Sequence, residues 1–329
     1  MMSPTERPTH RKVARALRAG GPEVVEVSIE ELPELKPGEA LIRVEAAGLN
    51  HAETLIRSGN YVVRLPFPFA TGGEGAGTVI ASGSGETITA GTRVCWGAVL
   101  GSCSDYLIAP ASMLVPVPGE LCFQDAASLA VASLTAGGLA RVWPLQGKTA
   151  VVWGAAGAVG RMLVAILAER GVSVIGVASG DRVKGVRDAG AVHVINRASD
   201  DVAASVRSFT SGAGAAAVFD PIGVATFETS LQLLGHRGCL ISYGELSGAA
   251  PEIDLHRLFA GSLFVTKYNG SRWVAGFHEF AGLIADGLAV ARRHPAAISE
   301  VAARFPLDQV ADAYRALESN PAGKILVLP

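Results

Sequence analysis

Short apolar runs separated by glycine and proline make up most of the first 121 residues of the chain. Residues 39–46, 77–80, 93–96 and 104–109 are examples of such runs. Apolar runs of this length between turn-forming residues are typical of β-strands. A long succession of them predicts a compact, mostly β barrel.

From about residue 134 the pattern changes to an alternation of apolar runs and helical stretches. The predicted strands of this region are 149–153, 172–177, 192–195, 215–219 and 238–242. Strands that alternate with helices predict a parallel, doubly wound α/β sheet. After residue 273 we predict a long helix near 275–286 and a final strand at 324–328, which rejoin the barrel. The predicted domains are therefore 1–133 with 272–329, and 134–271.

The most informative segment is the glycine-rich turn that follows the strand 149–153 and leads into an apolar helix at 161–170. Gly157 lets the backbone approach a pyrophosphate, and Gly160 lets the helix lie close to the strand. The N-terminus of the helix offers unpaired N–H groups to the anion. We therefore predict a dinucleotide-binding turn, whose contact residues are Ala156, Gly157, Ala158, Val159 and Gly160.

Composition and charge argue against some classes of binding partner. The net charge of −2 argues against nucleic acid as the main partner. No apolar run reaches the roughly 18–20 residues that span a bilayer, so we expect no membrane partner. The four cysteines are scattered without a C-x-x-C pair, which favours reduced thiols and a cytoplasmic location.

Several short sequence segments along the chain resemble those of the medium-chain dehydrogenase/reductase superfamily. The resemblance is closest to its zinc-free quinone oxidoreductases and the related enoyl reductases. The matching segments are 20–25, 46–50, 56–61, 72–77, 91–94, 134–136, 155–160, 219–223 and 323–325. The resemblance implies a GroES-like barrel domain that precedes and follows a Rossmann dinucleotide-binding domain. It also implies a homodimer that forms through an edge strand at 262–266.

The zinc ligands of the alcohol dehydrogenases in this superfamily are missing. By resemblance, a Cys-His pair would stand at Asn50 and His51, and Gly73 replaces a ligand histidine. Residues 131–133 contain no cysteine where the third ligand would lie. Zinc needs three protein ligands to keep an open catalytic position. We therefore predict that the site holds no metal.

The residues after the strand 172–177 indicate which nicotinamide cofactor binds. NAD sites of this type carry an acidic side chain here, whereas the first polar side chain of this chain is Ser179. The missing carboxylate favours NADPH, whose 2′-phosphate we expect to contact Arg182 and Arg197. The alternative is that both arginines are ordinary surface charges. Asp181 is predicted to be the N-cap of a helix that starts near Arg182.

The resemblance places further side chains near the cofactor. Thr135, predicted at the start of the first helix of the nucleotide domain, either contacts the cofactor or only caps that helix. The other residues in family cofactor-contact regions are Ile222, Tyr243, Lys267 and Lys324.

Without a metal, the hydride acceptor must itself spread the negative charge that it gains, as quinones and α,β-unsaturated carbonyl compounds do. By resemblance Asn50 is a hydrogen-bond donor in the cleft, and its alternative role is to form a turn. Tyr61 is a candidate proton donor, and its alternative role is packing. We predict a metal-free, NADPH-dependent quinone reductase. The alternatives are a dedicated biosynthetic enoyl reductase and a non-catalytic NADPH sensor.

Overall fold

The computed structural model describes residues 7–61, 63–85, 88–273, 276–319 and 321–329. The chain folds into two compact units, of which the first comprises 1–131, 276–288 and 300–329, and the second 132–275 and 289–299. The division into functional domains stays a prediction. Residues 289–299 depart from the predicted domain boundaries, because they pack with the second unit. There Arg293 Nε donates to Glu169 Oε1 at 2.8 Å.

The first unit is mostly β. Its strands are β1 (His10–Ala16), β2 (Val25–Glu31), β3 (Glu39–Gly48), β4 (Phe69–Ala70), β5 (Glu74–Ser82), β6 (Arg93–Gly97), β7 (Tyr106–Pro110), β8 (Val115–Pro116), β15 (Val301–Pro306) and β16 (Lys324–Leu328). One sheet has the order β2-β1-β4, and the other has the order β15-β16-β3-β5-β6-β8, with β7 paired to β3. Strand β3 therefore lies at the centre of the unit.

Among the described residues, two apolar clusters stabilise this unit. One surrounds Trp96 and Leu107 and takes Ile42 from β3. The other joins Leu49, at the end of β3, to Tyr314 and Ile325. The described helices of the unit are α1 (His51–Arg57) and α10 (Val310–Glu318). The sequence pattern did not predict α1. This helix is short and begins soon after a strand ends, so it shows no clear helical periodicity.

The second unit is a parallel sheet with the strand order β11-β10-β9-β12-β13-β14. This order confirms the predicted doubly wound fold. The strands are β9 (Thr149–Trp153), β10 (Ser173–Ala178), β11 (His193–Asn196), β12 (Ala215–Asp220), β13 (Leu234–Ser242) and β14 (Phe264–Lys267). Its helices are α3 (Ala158–Glu169), α4 (Val183–Asp188), α5 (Val202–Phe209), α6 (Phe227–Gln232), α7 (His256–Phe259) and α8 (Gly270–Trp273).

Two long helices, α2 (Phe123–Leu139) and α9 (Phe277–Arg293), run from one unit into the other along the chain. The apolar strands β9, β12 and β13 bury Val151, Val218 and Leu240 completely, as expected for strands covered on both faces. Among the described residues, no helix is both long enough and apolar enough to cross a membrane.

Candidate active site

The glycine-rich turn lies between β9 and α3, as predicted. Gly157 is the N-cap of α3 and carries no side chain that could satisfy the first N–H groups of the helix. A Cβ on Gly160 would lie 2.3 Å from the carbonyl oxygen of Gly154 and 2.7 Å from the Cα of Ala155. Only glycine therefore allows this close approach of helix and strand, which fits the pyrophosphate-binding turn of a dinucleotide site.

Two residues predicted to discriminate between cofactors lie together at the carboxyl ends of neighbouring strands. Arg197, which follows β11, donates from Nε to Ser179 Oγ, which follows β10, at 2.8 Å. Arg197 is exposed, so its guanidinium retains free N–H groups at this edge of the sheet. Asn196 Oδ1 accepts from the backbone N–H groups of Gly180 (3.1 Å) and Ala198 (3.2 Å) and thereby joins the two loops.

The neighbouring prediction for Asp181 is wrong. A short 3₁₀ turn, Gly180–Arg182, comes before α4. The helix begins at Val183, and its N-cap is Arg182, with no side-chain capping bond. Gly180 adopts a left-handed φ of 60°, which turns the chain before the helix can start. Arg182 is exposed and forms no hydrogen bond or ion pair with the residues that the structure describes.

Asp220 organises the loop after β12, a role that the sequence analysis missed. Its Oδ1 accepts from the N–H of Ile222 at 2.7 Å, and its Oδ2 accepts from Thr226 Oγ1 and Ser230 Oγ, each at 2.7 Å. The carboxylate is almost fully buried, and its hydrogen bonds fix the backbone of Ile222 at the edge of the sheet. In the sequence, the signal for this role was the pair of hydroxyl side chains near the start of α6, those of Thr226 and Ser230.

Tyr243 follows β13, and Lys267 is the last residue of β14. The N–H of Tyr243 donates to the carbonyl oxygen of Asp220 at 2.9 Å, and burial raises the pKa of the Tyr243 phenol. Lys267 forms an ion pair with Glu245, with Nζ and Oε1 2.7 Å apart. The Lys267 ammonium is thus already paired with a carboxylate at the position predicted for cofactor contact.

Thr135 does not lie at a helix start, so that part of the prediction is wrong. It lies inside α2, which begins at Phe123. The alanine-rich sequence before Thr135 sustains the helix through the predicted boundary, because alanine has the highest helix propensity. Thr135 is partly exposed, and a helix-capping role is excluded by its position.

In the first unit, three polar side chains from distant parts of the chain form a buried network. Lys324 and Glu74 form an ion pair; the Glu74 side chain is 0% exposed and that of Lys324 is 6% exposed. Asn50 Nδ2 donates to Glu74 Oε1 at 2.8 Å, and Asn50 Oδ1 accepts from Lys324 Nζ at 2.9 Å. The N–H of Val131 donates to Glu74 Oε2 at 2.6 Å. The Asn50 amide is thereby fixed in one orientation.

A second carboxyl group lies beside Asn50. Glu53 Oε1 accepts from the backbone N–H of Asn50 at 3.1 Å, and Glu53 Oε2 accepts from the hydroxyl of Tyr314 at 2.7 Å. Burial raises the pKa of Glu53 and also raises that of Tyr314. The sequence spacing Asn-x-x-Glu of a capping box was the signal that would have placed Glu53 here.

Tyr61 follows α1 in a bend and is partly buried. Its role as a donor and the role of Asn50 stay predictions. Among the described residues, no group of three His, Cys, Asp or Glu side chains is arranged to hold a metal ion. The oxygens of Glu74 are instead occupied by Lys324, Asn50 and the N–H of Val131.

Family models match both parts of the chain. A zinc-binding dehydrogenase model matches residues 158–286, and an alcohol dehydrogenase GroES-like domain model matches residues 36–119. The GroES-like domain predicted for the first part of the chain is thereby confirmed.

Three relatives illustrate the likeness over nearly the whole length. The quinone oxidoreductase of Pseudomonas aeruginosa is 32% identical over 94% of this chain and 97% of that protein. The 2-haloacrylate reductase of a Burkholderia species is 33% identical over 89% of this chain and 91% of that protein. The structure of Escherichia coli quinone oxidoreductase complexed with NADPH is 29% identical, with a TM-score of 0.84, and covers 97% of this chain and 100% of that chain.

Proposed function

Because the chain belongs to the medium-chain dehydrogenase/reductase superfamily, in its quinone oxidoreductase group, we propose that it is a metal-free reductase that uses NADPH. It reduces quinones or other α,β-unsaturated carbonyl compounds. The observation that carries this function is the pairing of Ser179 with the exposed Arg197 beside the glycine-rich turn. A site for NAD would place a carboxylate there instead.

The second unit fits NADPH, which when bound supplies a hydride to the acceptor. The turn from Gly157 to Gly160 holds the pyrophosphate at the N-terminus of α3. Arg197 and Arg182 bind the 2′-phosphate, since guanidinium groups form bidentate hydrogen bonds with phosphate oxygens. Ser179 orients Arg197 through the hydrogen bond described above. The remaining contacts come from Thr135, Ile222, Tyr243 and Lys267.

The first unit supplies groups that stabilise the reduced acceptor. Lys324 has three N–H groups, of which two are directed to Asn50 and Glu74, and we assign the third as the donor to an oxyanion. Asn50 fixes the position of the ammonium group. A fixed donor in a site with little water stabilises a developing enolate or hydroquinone anion. No metal ligand is needed at Gly73 for this chemistry.

The cofactor assignment is tested by titration calorimetry of the purified chain with NADPH and with NADH. We expect tight binding of NADPH and binding of NADH that is weaker by about 2 kcal/mol, the free energy that charge-assisted hydrogen bonds contribute. We also expect 2′,5′-ADP to compete with NADPH. Equal affinity for the two cofactors would contradict the role of Arg197 and Arg182.

A homodimer and a cytoplasmic location complete the proposal. Strand β14 is the last strand of its sheet, and Phe264 on it is half exposed, so a second copy can extend the sheet across a two-fold axis. The location is supported by the four cysteines, which are all unpaired. Sedimentation equilibrium should give twice the chain mass of 33.8 kDa. A single-chain mass would reject the dimer.

A further inference from the structure

Glu53 lies beside Asn50 in the first unit, where its side chain is partly buried. It lies in the first turn of α1, where it accepts hydrogen bonds from the N–H of Asn50 and from the hydroxyl of Tyr314. Tyr314 itself is buried, whereas Glu53 and Asn50 are both partly exposed. The hydrogen bonds from Tyr314 and Asn50 therefore hold the Glu53 carboxyl group in place.

The space beside Gly73 borders the carboxyl group of Glu53. Apart from its chain neighbours Gly72 and Glu74, a Cβ placed on Gly73 would meet only Glu53 Oε1 within 4 Å among the described residues, at 3.6 Å. Gly73 is itself partly exposed. A ligand atom that occupies the space of the missing side chain is therefore in contact with Glu53 Oε1.

The surroundings keep a proton on Glu53 to a higher pH than on an ordinary glutamate. Burial raises the pKa of Glu53 most, and the Glu74 carboxylate raises it further. The hydrogen bond from Tyr314 and the charge of Lys324 lower the pKa of Glu53 but do not cancel the rise. The titratable and charged groups that face Glu53 are Arg57, Glu74, Cys103, Tyr314 and Lys324.

Glu53 also borders a small cavity. The cavity has a volume of about 10 Å³, which is room for a single water molecule. Its polar lining comes from Glu53, Arg57, Thr71 and Tyr314. A water molecule in this cavity would lie beside Glu53 and supply a route for returning a proton to it.

We propose that Glu53 is the general acid that protonates the reduced substrate, with Tyr314 as its positioning residue. This inference rests on the reductase function proposed above. Bound NADPH would supply a hydride, with its two electrons, to the β-carbon of a conjugated carbonyl compound, and the alkene electron pair would then move onto the carbonyl oxygen to form an enolate. The O–H bond of Glu53 then breaks, and its proton forms a C–H bond at the α-carbon.

The electron pair of that O–H bond stays on Glu53, which becomes a carboxylate. The Tyr314 hydroxyl and the Asn50 N–H stabilise this carboxylate through the hydrogen bonds already present. A proton from water then restores the acid. Protonation at carbon is slow without a placed acid, whereas a hydroquinone anion is protonated at oxygen by water. Glu53 therefore matters more for enones than for quinones.

The test compares the Glu53→Gln variant with the wild-type chain in anaerobic NADPH oxidation by a cyclic enone and by 1,4-benzoquinone. Glutamine keeps one acceptor oxygen for the N–H of Asn50, and its NH2 group can donate to the hydroxyl oxygen of Tyr314, but it cannot deliver the proton. We expect the ratio of enone kcat to quinone kcat to fall about 100-fold or more, the usual contribution of general acid catalysis. The control Glu26→Gln, an exposed carboxyl group on β2, should leave both rates unchanged.

The pH profile supplies a second readout. Because the protonated acid is active, the enone kcat of the wild-type chain should fall as the pH rises through the raised pKa of Glu53. Glu53→Gln should abolish this fall. Tyr314→Phe removes a hydrogen bond that lowers the pKa of Glu53, so the fall should move to higher pH. A purely structural role of Tyr314 would not move it.

An equal loss of both activities in Glu53→Gln would overturn the proposal, because it would indicate a general structural defect. An unchanged enone rate would also overturn it. If Glu53→Gln does not fold, the pH shift in Tyr314→Phe decides, and an unshifted profile overturns the proposal. Wild-type chain that oxidises NADPH with neither acceptor would refute the proposed function itself, which is a distinct result from a failure confined to the variants.

Discussion

The buried ion pair between Lys324 and Glu74 allows a quantitative prediction about stability. Replacement of Lys324 by methionine leaves the Glu74 carboxylate fully buried, with only Asn50 Nδ2 and the N–H of Val131 as partners. Removal of one partner of a buried pair costs about 3–5 kcal/mol, because the other charge is left uncompensated. We expect Lys324→Met to lower the free energy of unfolding by that amount.

The assay is urea unfolding followed by circular dichroism at neutral pH. With a urea dependence of about 3 kcal/mol per M, the midpoint of the affected transition should fall by roughly 1–1.7 M. The matched control is Lys12→Met, since Lys12 Nζ and Asp308 Oδ2 are 3.4 Å apart and both side chains are exposed. Exposed pairs contribute about 0–1 kcal/mol, so the control should shift the midpoint little.

The double variant Glu74→Gln with Lys324→Met completes the cycle. Because it removes both charges together, it should recover much of the stability that Lys324→Met loses. The reasoning would be refuted if Lys324→Met cost no more than Lys12→Met. It would also be refuted if the two single-variant losses simply added in the double variant, because residues in one network should be coupled.

The remaining predictions concern the cofactor site and the proton donor. Gly160→Ala should weaken NADPH binding at least 10-fold by calorimetry, because its Cβ would lie 2.3 Å from the oxygen of Gly154. The control is Gly282→Ala, whose Cβ would meet no described atom within 4 Å beyond its chain neighbours and its own helix backbone, and this variant should bind NADPH normally. Arg197→Gln should raise the KM for NADPH about 10-fold and leave that for NADH unchanged, and equal effects on both would contradict a 2′-phosphate contact. Tyr61→Phe should leave the alkaline fall of enone turnover in place if Glu53 is the acid, and loss of that fall would assign the proton to Tyr61.

The parts of the fold that follow from local patterns could be predicted from the sequence. The turn at Gly157 is encoded by an apolar strand and regularly spaced glycines, and the structure places it between β9 and α3. The final strand, Lys324–Leu328, is an apolar run between a glycine and a proline, and its bounds agree with the prediction. The local sequence pattern of a single element is enough to predict the glycine-rich turn and the final strand.

Contacts between distant residues could not be predicted in this way. Lys324 and Glu74 are 250 residues apart in the chain, and Tyr314 and Glu53 are 261 residues apart. No local pattern records such pairs, because they depend on how β16 and α10 pack against β3 and α1. The position of Thr135 was missed for a different reason: alanine and leucine sustain the helix through this region, and no residue signals the boundary between the units.

The most direct test of the central claim is anaerobic oxidation of NADPH by the purified wild-type chain, followed by absorbance with a matched series of quinones, enones and simple ketones. The account predicts turnover of quinones or enones with NADPH, slower turnover with NADH and none with simple ketones, which require stronger polarisation. Turnover of simple ketones that a metal chelator abolishes would contradict it, as would tight NADPH binding with no oxidation by any acceptor.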